Sequence, residues 1–541
     1  MRILSLLCIG VFFLVMTTAC QRQEATIPAE GEAARPAYGD TFIEASIGEP
    51  SNLLPVLASD SASADISGLV YDGLVRYDKN LQLEGELAES WEISEDNLTI
   101  TFRLRQGVKW HDGAPFTSAD VLFTYQLYVD PKTPTAYAEA YRQVENAEAP
   151  DPYTFRVTYS QPYAPALGSW GVSILPKHLL AGTEVTKSPL SRQPVGAGPY
   201  RFVEWKSGEK LVLEANPDYY KGPPYIKRVV YRIIPDQSTQ FLELQSGGLD
   251  FMGLTPIQYQ TQTDTPAFRR QFNKYSYLAF SYTYLGYNQR RPIFQDKRVR
   301  QALAYAIDKQ EIIDGVLLGL GQAATGPYKP DTWVYNPDVP LYPYDPERAR
   351  ALLAEAGWRD SDGDGILDKD GKPLAFTIVT NQGNDLRIKT GEIMQRRFRE
   401  VGVDVKLRVI EWASFLKEFI DTGNFDATIL GWSSGPEPDQ YDIWHSSKTG
   451  PRQLNFIHFK NDEVDELLEK GRRTFDQAER KKAYDRFQQI LAEEQPYTFL
   501  YVGKALPAVA KRFRGIEAAP AGIRYNFTEW YVPASEQRYA R

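Results

Sequence analysis

Leu98-Thr99-Ile100-Thr101-Phe102-Arg103-Leu104 places a large apolar side chain at every second position and a polar one between. Side chains along a strand point alternately to opposite faces, so this stretch predicts a strand with one buried face. Val403, Val405, Leu407 and Val409 alternate with Asp404, Lys406 and Arg408 in the same way. Val299, Ala302, Leu303 and Ala306 recur instead at helical spacing, as do Ala483, Phe487, Ile490 and Leu491. Asp308 with Glu311, and Asp476 with Glu479, have the look of helix starts. Strand and helix signals interleave from end to end, and the class is mixed α/β.

Composition bounds what such a chain does. Its 541 residues leave room for about three domains, with 43% hydrophobic and 24% charged residues excluding a disordered or fibrous protein. A net charge of −9 lacks the basic excess of a general phosphate-backbone binder, so no nucleic-acid partner is expected. No G-x-x-x-x-G-K-[ST] phosphate loop occurs. Tyr (33), Trp (10) and Phe (26) are abundant, and such rings serve cores and ligand walls equally.

The N-terminus sets the expected compartment. Residues 3–16 are apolar apart from Ser5 and Gly10, which suits a signal-peptide core and falls short of the roughly 20 residues of a membrane span. Thr17-Thr18-Ala19-Cys20 resembles a bacterial lipobox, although Thr17 stands where Leu is usual, and plain secretion with another cut is the alternative. The expectation is a signal peptide at 1–19, a lipidated Cys20 and a polar tether at 20–37. The chain is then extracytoplasmic and lipid-anchored to a membrane. Cys8 falls inside the leader, so cutting before Cys20 leaves no second thiol for a disulfide, zinc site or catalytic cysteine.

Working outward from the opening strand, Leu87-Ala88-Glu89-Ser90-Trp91 precedes it. Gly107-Val108-Lys109-Trp110-His111-Asp112-Gly113 and Phe116-Thr117-Ser118-Ala119-Asp120-Val121 follow. Gly48-Glu49-Pro50 with Leu54-Pro55, and Val70-Tyr71-Asp72-Gly73-Leu74, lie upstream. Val195-Gly196-Ala197-Gly198-Pro199-Tyr200, Asn216-Pro217-Asp218-Tyr219-Tyr220, Phe294 to Leu303, and Phe425-Asp426-Ala427 to Gly431-Trp432 come later. In this order, over about residues 40 to 535, the segments resemble the bacterial extracellular solute-binding proteins of family 5, the oligopeptide-, dipeptide- and nickel-binding proteins of ABC importers.

That resemblance implies a two-lobed type II periplasmic-binding fold with an extra subdomain on lobe I. Lobe I would comprise 38–75, 185–277 and 500–541, the extra subdomain 76–184 and lobe II 278–499. Hinge crossings would fall near Tyr277–Tyr287 and Gln495–Val502. The implied function is capture of a peptide between the lobes by a monomer and its delivery to two permease subunits, served indirectly by cytoplasmic ATPases. No catalysis and no cofactor are expected.

By the same resemblance, the ligand meets Val56, Leu57, Ala58, Ser59 and Asp60 of lobe I and Trp432, Ser433, Ser434 and Gly435 of lobe II. Glu437, Asp439, Tyr441, Trp444 and Tyr501 join the expected cleft wall. Peptide-binding members carry an Asp three residues after the Trp, pairing the ligand's α-ammonium, and here that place is Gly435. A buried ammonium without a counter-charge is costly. Glu437 or Asp439 takes over, or the amine stays solvated, or the ligand is not a free-amine peptide. The last option keeps oligosaccharides and other solutes open.

Rival chemistry has three footholds. Gly431-Trp432-Ser433-Ser434-Gly435 matches the G-x-S-x-G pattern of serine hydrolases, with His445 and His458 downstream, but Pro436 and Pro438 oppose the helix that a nucleophile elbow needs. The four histidines (His111, His178, His445, His458) lack metal-ligand spacing. Asp360, Asp362, Asp364, Gly365 and Asp368 resemble an EF-hand loop that ends on Gly371 where Glu belongs. A structural calcium and a solvated turn are its two readings. The charged runs at Asp462–Glu469, Arg472–Arg473 and Arg480–Lys482 read as solvated helix faces, a few of which could dock to a permease.

Overall fold

The computed structural model describes residues 35–539. The expected leader, Cys20 and nearly all of the tether lie outside them. Among the described residues no helix is long and apolar enough to cross a membrane.

Two large mixed sheets organise the chain. The first runs in the order Phe272–Lys274, Pro507–Ala510, Phe251–Gly253, Gly39–Ser46, Ile226–Ile233, Lys210–Ala215, Tyr200–Lys206. The second runs Tyr277–Leu278, Tyr497–Ala505, Ser281–Tyr287, Ala427–Ser433, Ala375–Asn381, Asp404–Ile410, with Gly321–Ala323 added beside Tyr497–Ala505. The alternating stretches of the sequence become Thr99–Leu104 and Asp404–Ile410, and the helical spacings become Lys297–Ala306 and Gln477–Glu494. Asp308 and Asp476 cap their helices as read, accepting from the amides of Glu311 and Glu479.

A smaller four-stranded sheet (Ala88–Ile93, Thr99–Leu104, Thr154–Tyr159, Val144–Asp151) carries the opening strand at its centre. Its inward residues Phe102 and Phe155, with Trp170 at the end of helix Ala166–Ser169 packed against them, belong to one core with Phe42, Leu213 and Trp530 of the first sheet's body. This is the extra subdomain on lobe I. The second sheet is buried on both faces, with Leu285, Ile429 and Phe398 in one core and Tyr284, Leu430 and Phe499 in another. Adjacent residues Ile429 and Leu430 enter opposite cores, as a period of two requires.

Among the described strands, the chain passes between the two large sheets twice. Lys274 is the last strand residue of the first sheet and Tyr277 the first of the second; Ala505 and Pro507 mark the return, with only Leu506 between. The two passages run antiparallel and side by side, pairing Lys274 with Ala508 and Tyr277 with Ala505. The expected crossings Tyr277–Tyr287 and Gln495–Val502 are thus displaced into the second sheet. Both are apolar strands, and their pattern does not separate a sheet interior from the link that leaves it. For the same reason the expected boundary at 499/500 falls inside the strand Tyr497–Ala505.

Candidate functional site

The site is read where the carboxyl ends of the second sheet's strands meet lobe I, the usual ligand position in open α/β sheets. A Cβ built on Gly48 would come 2.7 Å from the Cβ of Trp412, and the Asp385 amide donates to Gln237 Oε1 (3.3 Å). Gly383, at φ +80°, turns there with room for no side chain, since a Cβ would lie 2.6 Å from the Pro235 carbonyl oxygen.

The strand Ala427–Ser433 ends at this junction. It is paired along its length with Ser281–Tyr287, Trp432 opposite Tyr282 and Ser433 opposite Ser281. Its other neighbour, Ala375–Asn381, pairs with it only at Ile378–Ala427 and Val379–Thr428. Beyond that point the edge of Gly431–Ser433 has no ladder partner. Trp432 is half-buried, its Nε1 donating to the Tyr497 hydroxyl (3.3 Å) and its ring lying 5.8 Å from that of Phe456. Gly431 is glycine for a spatial reason, as a Cβ would sit 2.9 Å from both Arg387 Nη2 and the Tyr282 carbonyl oxygen.

Arg387 went unnoticed in the sequence. It stands in the first turn of helix Asp385–Glu400, and its Nη1 donates to Asn381 Oδ1 (2.8 Å). Its Nε is shut off from solvent with no hydrogen-bond partner, and no carboxylate forms an ion pair with it among the described residues. Burial lowers its pKa below the usual arginine range. Asp421, which caps the turn Phe415–Ile420, was missed too. It is half-buried, and its carboxylate makes neither hydrogen bond nor ion pair among the described residues. Burial and the nearby Asp60 raise its pKa, against the pull of Arg452. Neither residue belongs to a recognisable motif. The available signal was a charged side chain next to an element end that faces the other lobe.

The expected wall residues divide. Leu57 and Ala58 are half-buried and Ser59 is exposed, whereas Val56 is 1% exposed and belongs to the lobe I core. Asp60 caps helix Ser61–Val70: Oδ1 accepts from the Ser63 amide (3.0 Å), and Oδ2 accepts from Ser63 Oγ (2.6 Å) and from Ser51 Oγ. Trp444 is fully buried against Phe459, Phe487, Tyr497 and Phe499, so it is core rather than cleft wall. Tyr501 is buried within the second sheet, opposite Thr283 and Ala323. Tyr441 stacks on His445 at 4.0 Å and under Arg472 at 3.8 Å. Ser433 and Gly435 are exposed, and Ser434 is half-buried.

Both carboxylates offered as substitutes for the absent Asp are already used. Asp439 takes Arg472 as a fork, with Nε at 2.9–3.0 Å and Nη2 at 2.7 Å, and Glu437 pairs with Arg480. Burial raises the Glu437 carboxyl in spite of that arginine. The side chains of Arg472 and Arg480 are only 5% and 10% exposed, so these two are internal clamps, not the solvated charges expected of them. They lie 33 and 43 residues from their partners, a pairing that local charge patterning does not reveal.

The hydrolase pattern lacks its elbow: Ser434–Gln440 is not helical, and His445 hydrogen-bonds Ser447 rather than Ser433. In the acidic loop, Asp360, Asp362 and Asp364 bring carboxylate oxygens within 4.8 Å of one another, all exposed. Asp368 turns away to Ser361, accepting from its amide (2.9 Å) and hydroxyl (2.6 Å), and a hairpin follows instead of a helix. Asp360 itself accepts from the amides of Gly363 and Gly365, as in a side-chain-stabilised turn.

Comparisons with known proteins agree with this architecture. Residues 82–453 match the model of the bacterial extracellular solute-binding proteins, family 5, middle region. The oligopeptide-binding protein AppA of Bacillus subtilis is 35% identical over 98% of both chains. Its structure in complex with a nonapeptide superposes with a TM-score of 0.88, covering 92% of this chain and 100% of that one. Heme-binding protein A of Haemophilus influenzae is 30% identical, covering 96% of this chain and 98% of its own. NikZ of Campylobacter jejuni, solved with Ni(L-His), is 29% identical with a TM-score of 0.81, covering 92% of this chain and 99% of its own.

Proposed function

Because the chain belongs to family 5 of the bacterial extracellular solute-binding proteins, we propose that it captures peptides between its two lobes and delivers them unaltered to the permease subunits of an ABC importer. The observation that carries this reading is the end of strand Ala427–Ser433, with one free edge, beside the unpaired Arg387. Main-chain groups on a free edge hydrogen-bond an extended peptide without regard to its side chains. A half-buried guanidinium without a counter-ion favours a ligand carboxylate, and a planar fork matches it bidentately. Asp421, half-buried near Asp60 and without an ion pair among the described residues, meets the ligand's ammonium in this reading, since Glu437 and Asp439 are clamped.

The two adjacent passages between the sheets serve as the hinge. A ligand touching both lobes favours the closed form by exactly those contacts that exist only when the lobes meet. Cys20 carries the lipid that holds the monomer at the membrane, residues up to 37 act as the tether, and the protein turns over no substrate.

Native mass spectrometry of protein purified from rich medium tests the reading. Peptide masses are expected to remain bound. C-terminal amidation of such a peptide should weaken binding about tenfold, the cost of one lost charged hydrogen-bond pair. Arg387→Met should abolish the distinction between acid and amide. Retention of a non-peptide solute, or cleavage of added peptides, overturns the proposal.

A further inference from the structure

We propose that Lys448 and Glu139 form an ion-pair latch between lobe II and the extra subdomain, and that this latch prolongs the closed state. The inference rests on the two-lobe capture reading above. Lys448 ends the short turn Ser446–Lys448 of lobe II, and its side chain is only 4% exposed. Its Nζ lies 3.1 Å from Glu139 Oε2 and 3.2 Å from Asp442 Oδ1. Asp442 belongs to lobe II, on the turn of helix Tyr441–Trp444, whereas Glu139 opens helix Glu139–Arg142 of the extra subdomain. The ammonium therefore has one partner in its own lobe and one across the divide.

Neutral contacts beside the pair set its register. Gln453 Nε2 donates to the Thr135 carbonyl (3.3 Å), and the Ala164 amide donates to the Arg472 carbonyl (2.6 Å). Tyr163, 3% exposed, packs near the Arg472 guanidinium that clamps Asp439. Burial would raise the Glu139 carboxyl, but Lys448, together with Arg472 and Arg142, outweighs it and holds it below the usual range.

A charge drawn out of water is held only where an opposite charge meets it. When the lobes part, Glu139 leaves Lys448 and both ions rehydrate, while the Lys448–Asp442 pair travels intact with lobe II. The cross-lobe pair thus stabilises the closed form and contributes nothing to the open one. A contact of that kind shifts the population whatever peptide is bound.

The test uses the full-length protein, freed of retained peptide by unfolding in guanidinium and refolding, and reads acetylation of Lys448 by a water-soluble acetylating ester, followed by mass spectrometry with and without tryptic peptides of casein. Lys482, whose side chain is 70% exposed, supplies the internal reference. Native Lys448 should label at least tenfold more slowly than Lys482, and Glu139→Gln should speed Lys448 labelling at least fivefold while Lys482 is unchanged. Glu139→Ala, which removes the remaining amide contact, should speed it further. Equal Lys448 rates in the native protein and both variants overturn the latch. X-ray scattering on the same samples separates the two ideas. Casein-peptide-driven compaction with unaltered labelling sinks the latch alone, and the absence of any compaction overturns both the latch and the capture reading.

Discussion

Gly435 stands where an extra carboxylate would have open space: a Cβ there meets nothing within 4 Å, and the residue is exposed. Gly435→Asp adds a negative charge to the loop after Trp432 without displacing anything. The variant should bind free-amine peptides several-fold more tightly than their N-acetylated forms, relative to the native chain, in competition calorimetry. An unchanged preference would place the loop away from the ligand's amine. At this scale the sequence was only partly legible. Gly431 and Trp432 could be picked out because their residue types are set by what touches them, a guanidinium and a carbonyl for one, Tyr497 and Phe456 for the other. The fates of Glu437 and Asp439 could not, since each is decided by an arginine on a distant helix.

Helix Asp462–Arg473 and the start of helix Gln477–Glu494 act together as a brace for the loop after Trp432, each supplying one arginine to it. Removing one partner of a buried pair strands the other charge and costs about 3–5 kcal/mol. Arg472→Met should therefore lose about that much stability in urea unfolding, together with ligand affinity as the loop is released. Its neighbour Arg473 is 51% exposed and pairs with Glu469 one helical turn away, so Arg473→Met should stay within about 1 kcal/mol. Equal effects at the two positions would show that the clamp is not under load. Elements themselves were well read from periodicity, as the strands Thr99–Leu104 and Asp404–Ile410 show. Their apolar faces repeat every two residues whatever the tertiary context. Burial of Arg472 was misread because a helix's charge pattern says which residues are polar, not which side another loop will cover.

One polar join between the subdomain and lobe I is His111, whose ring spans the turn at 195–199. Its Nδ1 accepts from the Gly196 amide (3.2 Å) and its Nε2 donates to the Gly198 carbonyl (3.0 Å). Both glycines are needed because they pass against the Val70 carbonyl, where a Cβ on either would collide. This is why the Gly-x-Gly-Pro-Tyr stretch was legible as a family mark, whereas its pairing with His111, in another such segment 85 residues earlier, was not. Burial lowers the His111 pKa to about 4, against about 6.5 in an unfolded chain. The folded protein therefore holds the ring neutral while the unfolded chain takes up a proton as pH falls below about 6.5. The unfolded state binds more protons throughout that window, so the stabilisation is complete above pH 6.5 and is lost progressively down to pH 4. The buried Asp72–Glu86 pair has the opposite sign: burial raises both carboxyls, so their contribution is lost as pH rises. Thermal melts of His111→Gln should therefore show a smaller loss of Tm between pH 6.5 and pH 4 than the native protein, with the two curves parallel above pH 7. If the variant declines as steeply as the native chain, the acid limb belongs to other groups and His111 is not the neutral bolt between subdomain and lobe.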